Sequence, residues 1–505
     1  MSDIFKYGQD KLTIELSLKL AEDQIEGIIT EDTRNKIIKN FQTVQEILNG
    51  DKLVYSINTG FGSLCTTKIS RKDASKLQVN LLKSHSAGMG NVIDWKIAKL
   101  MMILKIHALC KGFSGVSIET IERLMWHVKQ NIIPKVPEQG SVGASGDLAP
   151  LAHLFSPLIG LGYLTEDGKN YVPSLDILKK HGLKPLELHA KEGLALINGT
   201  QFILANAINF YERFLNCLEH ADLIGAMSLE GYLGSPQPFN ERIIELRPFN
   251  GAKIVAKNFR RYLKDSEFVK SHVNCGRVQD PYSIRCIPQV HGASRNALRH
   301  LKEVLELELN SVTDNPIIFN DKVAISGGNF HGQPLALPLD YASLAAAELG
   351  NISDRRIYLL LEGKWGLPTY LIKETGLNSG FMIAQYCSAA LVSENKSACF
   401  PASADSIPTS LGQEDHVSMG AISARKALKI VENLEKILAI EMLCAAQAMD
   451  FRRPLKSSYI LEAVHAHIRE KIPHVSEDTV LSELMEKSLE ILRSKELLKI
   501  IKKLV

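Results

Sequence analysis

Apolar residues recur at helical spacing most clearly in the second half of the chain. QPLALPLDYASLAAAELGNISDRRIYLLLE (333–362) is rich in Ala and Leu with few breaks. ARKALKIVENLEKILAIEMLCAAQAMDF (424–451) repeats apolar positions three and four apart. Both predict long helices. SEDTVLSELMEKSLEILRSKELLKIIKKL (476–504) keeps the same rhythm, with Ser476 as its predicted N-cap and acidic residues following. Helices this long and apolar predict a bundle whose outer faces are also covered, by other subunits. The first half differs. Short periodic segments alternate there with glycine-rich turns: NTGFGS at 58–63, HSAGMG at 85–90 and GSVGASGDLAP at 140–150. The change of texture divides the chain into an N-terminal region, 1–210, and a helical region, 211–505. The fold class expected is mainly α.

Composition narrows the function classes. The 505 residues carry a net charge of +3, too little to argue for nucleic acid or a membrane surface. Cysteines at 65, 110, 217, 275, 286, 387, 399 and 444 form no CxxC pair, which excludes a zinc ribbon or thioredoxin-like motif. The N-terminus lacks an apolar signal core, so a reducing cytoplasm is expected. The longest apolar run, LAPLAHLFSPLIGLGYL, is interrupted by Pro150, His153, Pro157 and glycines, and does not read as a membrane span. The basic C-terminal KELLKIIKKLV reads as an amphipathic tail helix. His465 and His467, on a helix, point about 200° apart and do not read as a metal pair.

The candidate chemistry centres on Ala144-Ser145-Gly146, framed by Gly140 and Gly143 and followed by Asp147. As a loop before a helix, the stretch has Asp147 as N-cap and Pro150 in the first turn. That leaves the three small residues unexplained. A phosphate cradle needs a different glycine spacing and a following Gly-Lys-Ser/Thr. A nucleophile elbow needs a glycine where Asp147 stands. Backbone chemistry gives each residue a reason. Gly146 offers an unhindered nitrogen with free dihedrals. Bonded to the Ala144 carbonyl carbon, it closes a five-membered ring. Loss of two waters, one from the Ser145 hydroxyl, leaves an exocyclic C=CH2. The product is an electrophile, which no ordinary side chain is.

GSVGASGDLAPLAHL closely resembles the signature of the ammonia-lyases and aminomutases that carry this group, 4-methylidene-imidazol-5-one (MIO). YSINTGFG, NLLKSHSAGMG, EGLALINGTQ, VQDPYSIRCIPQV, SVTDNP, ISGGNFHGQP, NSGFMIAQY and GQEDHVSM resemble further family segments in the same order, over nearly the whole chain. The resemblance implies a fumarase/aspartase-like helical fold with the MIO loop in the N-terminal region. It implies MIO formed autocatalytically from Ala144-Ser145-Gly146, no metal or dissociable cofactor, and a homotetramer with shared active sites. The length suits the family's bacterial histidine-lyase branch.

Roles follow residue by residue. Tyr282 resembles the base that takes the β-proton. A free tyrosine has a pKa near 10 and needs nearby positive charge to serve. Arg285 resembles the clamp on the substrate carboxylate. Gln279 and Asn198 resemble the amides that hold substrate and prosthetic group. Gln279, Tyr282 and Arg285 are three apart, so on a helix they share a face; without the resemblance they read as a polar helix surface. Tyr55 resembles a second acid/base group on a lid loop containing Gly60 and Gly62. Phe330 resembles the phenylalanine that lies against the prosthetic group, and Asp147 the residue that assists ring formation.

The Ser84-His85 pair and Glu414 bear on substrate choice. In the family, Ser-His at this place accompanies histidine, and aromatic lyases usually lack the glutamate. A neutral imidazole has one donor and one acceptor, and His85 and Glu414 carry the groups to satisfy both. The implied reaction is deamination of L-histidine to trans-urocanate and ammonia. A tyrosine or phenylalanine ammonia-lyase, or an aminomutase, is the alternative within the family. From another class, a silent helical scaffold with an uncyclised loop remains, against which the complete set Tyr55, Asn198, Tyr282, Arg285 and Glu414 argues. Gly332-Gln333 and Ser56 depart from common histidine-lyase residues and bear on loop mobility and substrate fit.

Overall fold

The computed structural model describes residues 4–50, 54–55, 57–60, 62, 67, 69–273, 275–319 and 321–504. Ser56, Phe61 and Cys65 lie outside the described residues. The chain is mainly α. Its strands are two to four residues long and pair only in small sheets, β1 to β2 parallel (Ile4–Lys6, Glu26–Ile28), the others antiparallel.

The residues gather into two compact units. The first comprises Met1–Asn209, Lys302–Asp340 and Pro401–Arg425; the second comprises Phe210–Leu301, Tyr341–Phe400 and Lys426–Val505. The first unit is built around the helix Trp95–Leu109. Asp94 caps its start by accepting from the Lys96 N–H at 2.9 Å. Its sequence WKIAKLMMILKIHAL is buried on nearly every face, which takes Lys99, Lys105 and His107 inside with the apolar residues.

In the second unit, apolar helix segments carry a buried polar network. Asp222 pairs with His291 at 2.9 Å and Arg295 at 2.6 Å. Arg356 pairs with Glu441 through two bonds, at 2.6 and 2.9 Å, and Ser228 and Ser353 also donate to Glu441. Charges this deep persist only when every one is partnered.

The helices expected at 333–362 and 424–451 are present as Gln333–Leu361 and Gly420–Asp450. The last stretch differs. Its helix begins at Leu481 with Val480 in the cap position, so Ser476 is not the N-cap. Asp478 is drawn away instead, accepting from the Ser379 and Gly380 N–H groups at 2.8 and 2.7 Å. Lys495, at φ 59°, then breaks the run, and the basic tail forms a separate helix, Glu496–Leu504, with Leu497 and Ile501 buried. The apolar run after Asp147 breaks at its prolines and glycines into the helix Leu148–Phe155 and a single turn, Ser156–Ile159, ended by Gly160 at φ 78°. Among the described residues no helix is long and apolar enough to cross a membrane. His465 bonds Asp450 and His467 bonds Glu496, so the two imidazoles serve different partners.

Candidate active site

The triplet sits in a backbone turn that few sequences tolerate. Ser145 has φ 49° and Gly146 φ 83°. A positive φ is uncommon outside glycine, and two in succession fold the chain sharply back. The turn is held against Gly199, whose N–H donates to the Ser145 carbonyl at 3.4 Å and whose carbonyl accepts from the Asp147 N–H at 2.7 Å. A Cβ on Gly146 would lie 2.1 Å from the Gly199 oxygen. Gly146→Ala is therefore expected to lower stability by about 1–3 kcal/mol from the backbone strain alone, read as a lower melting temperature. Gly143 is equally confined, its missing Cβ falling 2.3 Å from the Ser418 Oγ. The Met419 N–H donates to the Val142 carbonyl at 2.9 Å.

Asp147 does not cap its own helix. Its side chain makes no bond to the start of Leu148–Phe155. The carboxylate instead accepts from the Phe202 and Ile203 N–H groups, at 2.9 and 3.0 Å, and so caps the helix Gln201–Tyr232. The cap expected from sequence is corrected to a tertiary one, because the Gly199 contact turns Asp147 inward, where it is fully buried. Burial pushes its carboxyl up to about 7, against the two N–H bonds. Three helix N-termini surround the turn: Leu148, Gln201 and Gly420, the last just after Met419. Their positive ends favour negative charge there.

Asn198 lies beside this turn. Its side-chain amide donates to the Asn315 carbonyl at 2.9 Å, while its Oδ1 is buried with no bonded partner among the described residues. The Lys105 ammonium donates to its main-chain carbonyl.

His85, Glu414 and Tyr55 come together in the same unit. His85 ends the helix Ala74–His85, with Nδ1 3.0 Å from the Ser84 Oγ. Burial lowers its pKa and so favours the neutral ring, opposed by the Leu81 carbonyl and the charge of Glu414. Glu414 is held by the Ser410 and Thr409 hydroxyls, which donate to Oε2 at 2.8 and 3.0 Å. Its Oε1 lies 4.0 Å from where a Gly62 Cβ would stand, and the Gly62 N–H donates to the Tyr55 hydroxyl at 3.1 Å. Glu414 is four residues from Ser418, a span of at most about 14 Å, and so is tied to the turn at 142–147. Phe330 is half-buried, three residues beyond Gly327, whose N–H donates to the Asn315 Oδ1 at 2.9 Å.

Gln279, Tyr282 and Arg285 belong to the second unit. Only Tyr282 and Arg285 share a helix, the single turn Tyr282–Arg285 with Pro281 at its cap. Gln279 precedes it on exposed non-helical chain, so the common helix face expected for all three holds for two. The Arg285 guanidinium lies 4.6 Å over the Tyr282 ring, placing positive charge on the tyrosine.

The family model described as aromatic amino acid lyase matches residues 12–470. The chain belongs to the aromatic amino acid lyase family. A histidine ammonia-lyase from Natranaerobius thermophilus is 46% identical, over 92% of this chain and 91% of its own. The crystal structure of histidine ammonia-lyase from Trypanosoma cruzi superposes with a TM-score of 0.91 at 41% identity, covering 100% of this chain and 96% of that one. The tyrosine aminomutase from Streptomyces globisporus gives 0.93 at 34% identity, covering 99% of both.

Among the lyase's residues, Gly199, Ser418, Thr409, Ser410 and Lys105 carry the site's geometry without a sequence signal that singled them out. Lys105 had the nearest to one, as a lysine inside an otherwise apolar helical run. The triplet fits the ring that the signature implies. Its backbone is already folded back, Gly146 has no Cβ of its own to crowd its nitrogen, and Gly199 packs against the turn.

Proposed function

We propose that this lyase removes ammonia from L-histidine to give trans-urocanate. The observation that carries the substrate choice is the neighbourhood of His85 and Glu414. A neutral imidazole and a carboxylate there supply one donor and one acceptor set suited to a substrate imidazole. A phenyl or phenol ring would leave them wholly or partly unpaired, which such sites reject by about 10⁴–10⁵. The names of the histidine ammonia-lyases to which the chain is similar over nearly its whole length support the same reading.

MIO, formed from Ala144-Ser145-Gly146, supplies an electrophile that turns the substrate amine into a good leaving group. The residues do the rest. Arg285 clamps the carboxylate. Tyr282, beside that guanidinium, takes the β-proton. Tyr55 serves as the second acid/base group, hydrogen-bonded to the Gly62 backbone. Asn198, whose buried Oδ1 has no partner among the described residues, and Gln279 would hold substrate and prosthetic group, and Phe330 would lie against the prosthetic group. Asp147 holds the turn for ring formation.

The site is completed by other copies of the chain. Tyr282 is 70% exposed in the single chain, and proton abstraction of this kind works in a water-excluded site. Tyr341, Leu344, Ile383 and Tyr386, on the long helices, are each half exposed or more. Both features support a homotetramer with shared active sites. The free thiols of all seven described cysteines support a cytoplasmic location.

The test is incubation of the purified enzyme with histidine, tyrosine and phenylalanine, following product absorbance and analysing for β-amino acids. Urocanate from histidine alone is expected. Coumarate, cinnamate or a β-amino acid as the main product would overturn the histidine reading in favour of an aromatic lyase or an aminomutase.

A further inference from the structure

Lys105 is fully buried in the helix Trp95–Leu109, and its ammonium donates to the Asn198 carbonyl. That carbonyl belongs to the same peptide group as the Gly199 N–H, which donates to the Ser145 carbonyl at 3.4 Å. A cation on one end of a peptide group draws electron density from it and strengthens its N–H as a donor. The lysine is thus coupled, through one peptide, to the oxygen of the residue that must be dehydrated.

We propose that Lys105 is a positioning residue for maturation, acting through the Asn198–Gly199 peptide to promote the second dehydration of the triplet. The inference rests on the reading that the triplet closes to MIO. In closure the Gly146 nitrogen bonds to the Ala144 carbonyl carbon. The Ala144 oxygen leaves as water with the amide protons of Gly146 and Ser145, and a C=N bond forms from Ala144 to the Ser145 nitrogen. The Ser145 hydroxyl then leaves as a second water with the Ser145 Cα proton, and a Cα=Cβ bond forms. No oxidant is needed. Loss of the Cα proton places negative charge on the Ser145 carbonyl oxygen, the atom that faces Gly199. Removing the cation behind that peptide slows this step more than ring closure itself.

The groups that act on Lys105 are Asp314, Lys191 and Asp147. Lys191 pairs with Asp314 at 2.6 Å, both buried. Burial brings Lys105 down to about 7, with Asp314 and Asp147 opposing and Lys191 reinforcing the shift. Its charge is therefore present below pH 7 and lost as pH rises through that value.

The experiment follows intact mass at fixed times after synthesis, for the wild type and for Lys105→Met, with helical content and melting temperature measured in parallel. Wild-type chains should lack the mass of two waters; no loss in the wild type refutes the ring reading itself. Folded Lys105→Met should accumulate chains that have lost one water, and accumulation only of chains that have lost none would overturn the assignment to the second dehydration. Two-water loss in Lys105→Met at the wild-type pace overturns the role of Lys105 and leaves the ring reading intact. If Lys105→Met does not fold, Lys105→Gln replaces it, with the same outcomes.

Discussion

Ser145→Ala is expected to abolish urocanate formation while the chain keeps its helical content and melting temperature. The substitution removes one hydroxyl. It leaves Ser145's backbone bond to Gly199 and the glycines on either side in place, and alanine meets the same positive φ that serine already accepts. What is lost is the oxygen whose departure creates the C=CH2. Removing the reacting group of an enzyme typically costs on the order of 10³-fold or more. Turnover is read by urocanate absorbance, and intact mass should show no loss of the second water. Substantial turnover from a chain whose mass retains that second water would refute the ring as the source of the chemistry.

Glu414→Ala is expected to cut kcat/KM for histidine by about 10–10²-fold, the cost of a lost hydrogen bond to a charged group. Phenylalanine turnover should hold or rise, so the preference narrows by at least the same factor. The stability change should be small. The Thr409 and Ser410 hydroxyls lose their acceptor, but both residues are at the surface or half-buried and turn to water. The main-chain pairing of Thr409 with Glu414 remains. Competition assays with histidine and phenylalanine decide it. An unchanged preference would mean that Glu414 does not read the substrate ring.

Both expectations depend on residues far apart in sequence, and they show where local pattern was informative. The triplet could be singled out because the chemistry proposed for it is local: ring closure would join residues two apart, and small residues allow it. The long helices were legible because a period of three and four survives wherever one face is buried. Ser476 and Asp147 were misjudged for a common reason. Capping propensity names a residue able to accept N–H bonds, but not which helix will present them. Asp147 caps Gln201–Tyr232, and near Ser476 it is Asp478 that reaches back to Ser379 and Gly380. The shared face drawn for Gln279, Tyr282 and Arg285 failed at Gln279 because Pro281 sets the start of the helix at Tyr282.

The sequence by itself determined a mainly α fold, the family resemblance, and the small triplet whose proposed ring would be built from its own three residues. The tertiary structure alone decided what holds that triplet. Gly199 presses against Gly146, Asp147 faces a helix more than fifty residues ahead, and Lys105 reaches the Asn198 carbonyl from a buried helix. Hydrogen bonds and exclusion of water act through space, over a few ångströms, and sequence spacing carries no record of which distant residues fall within that range.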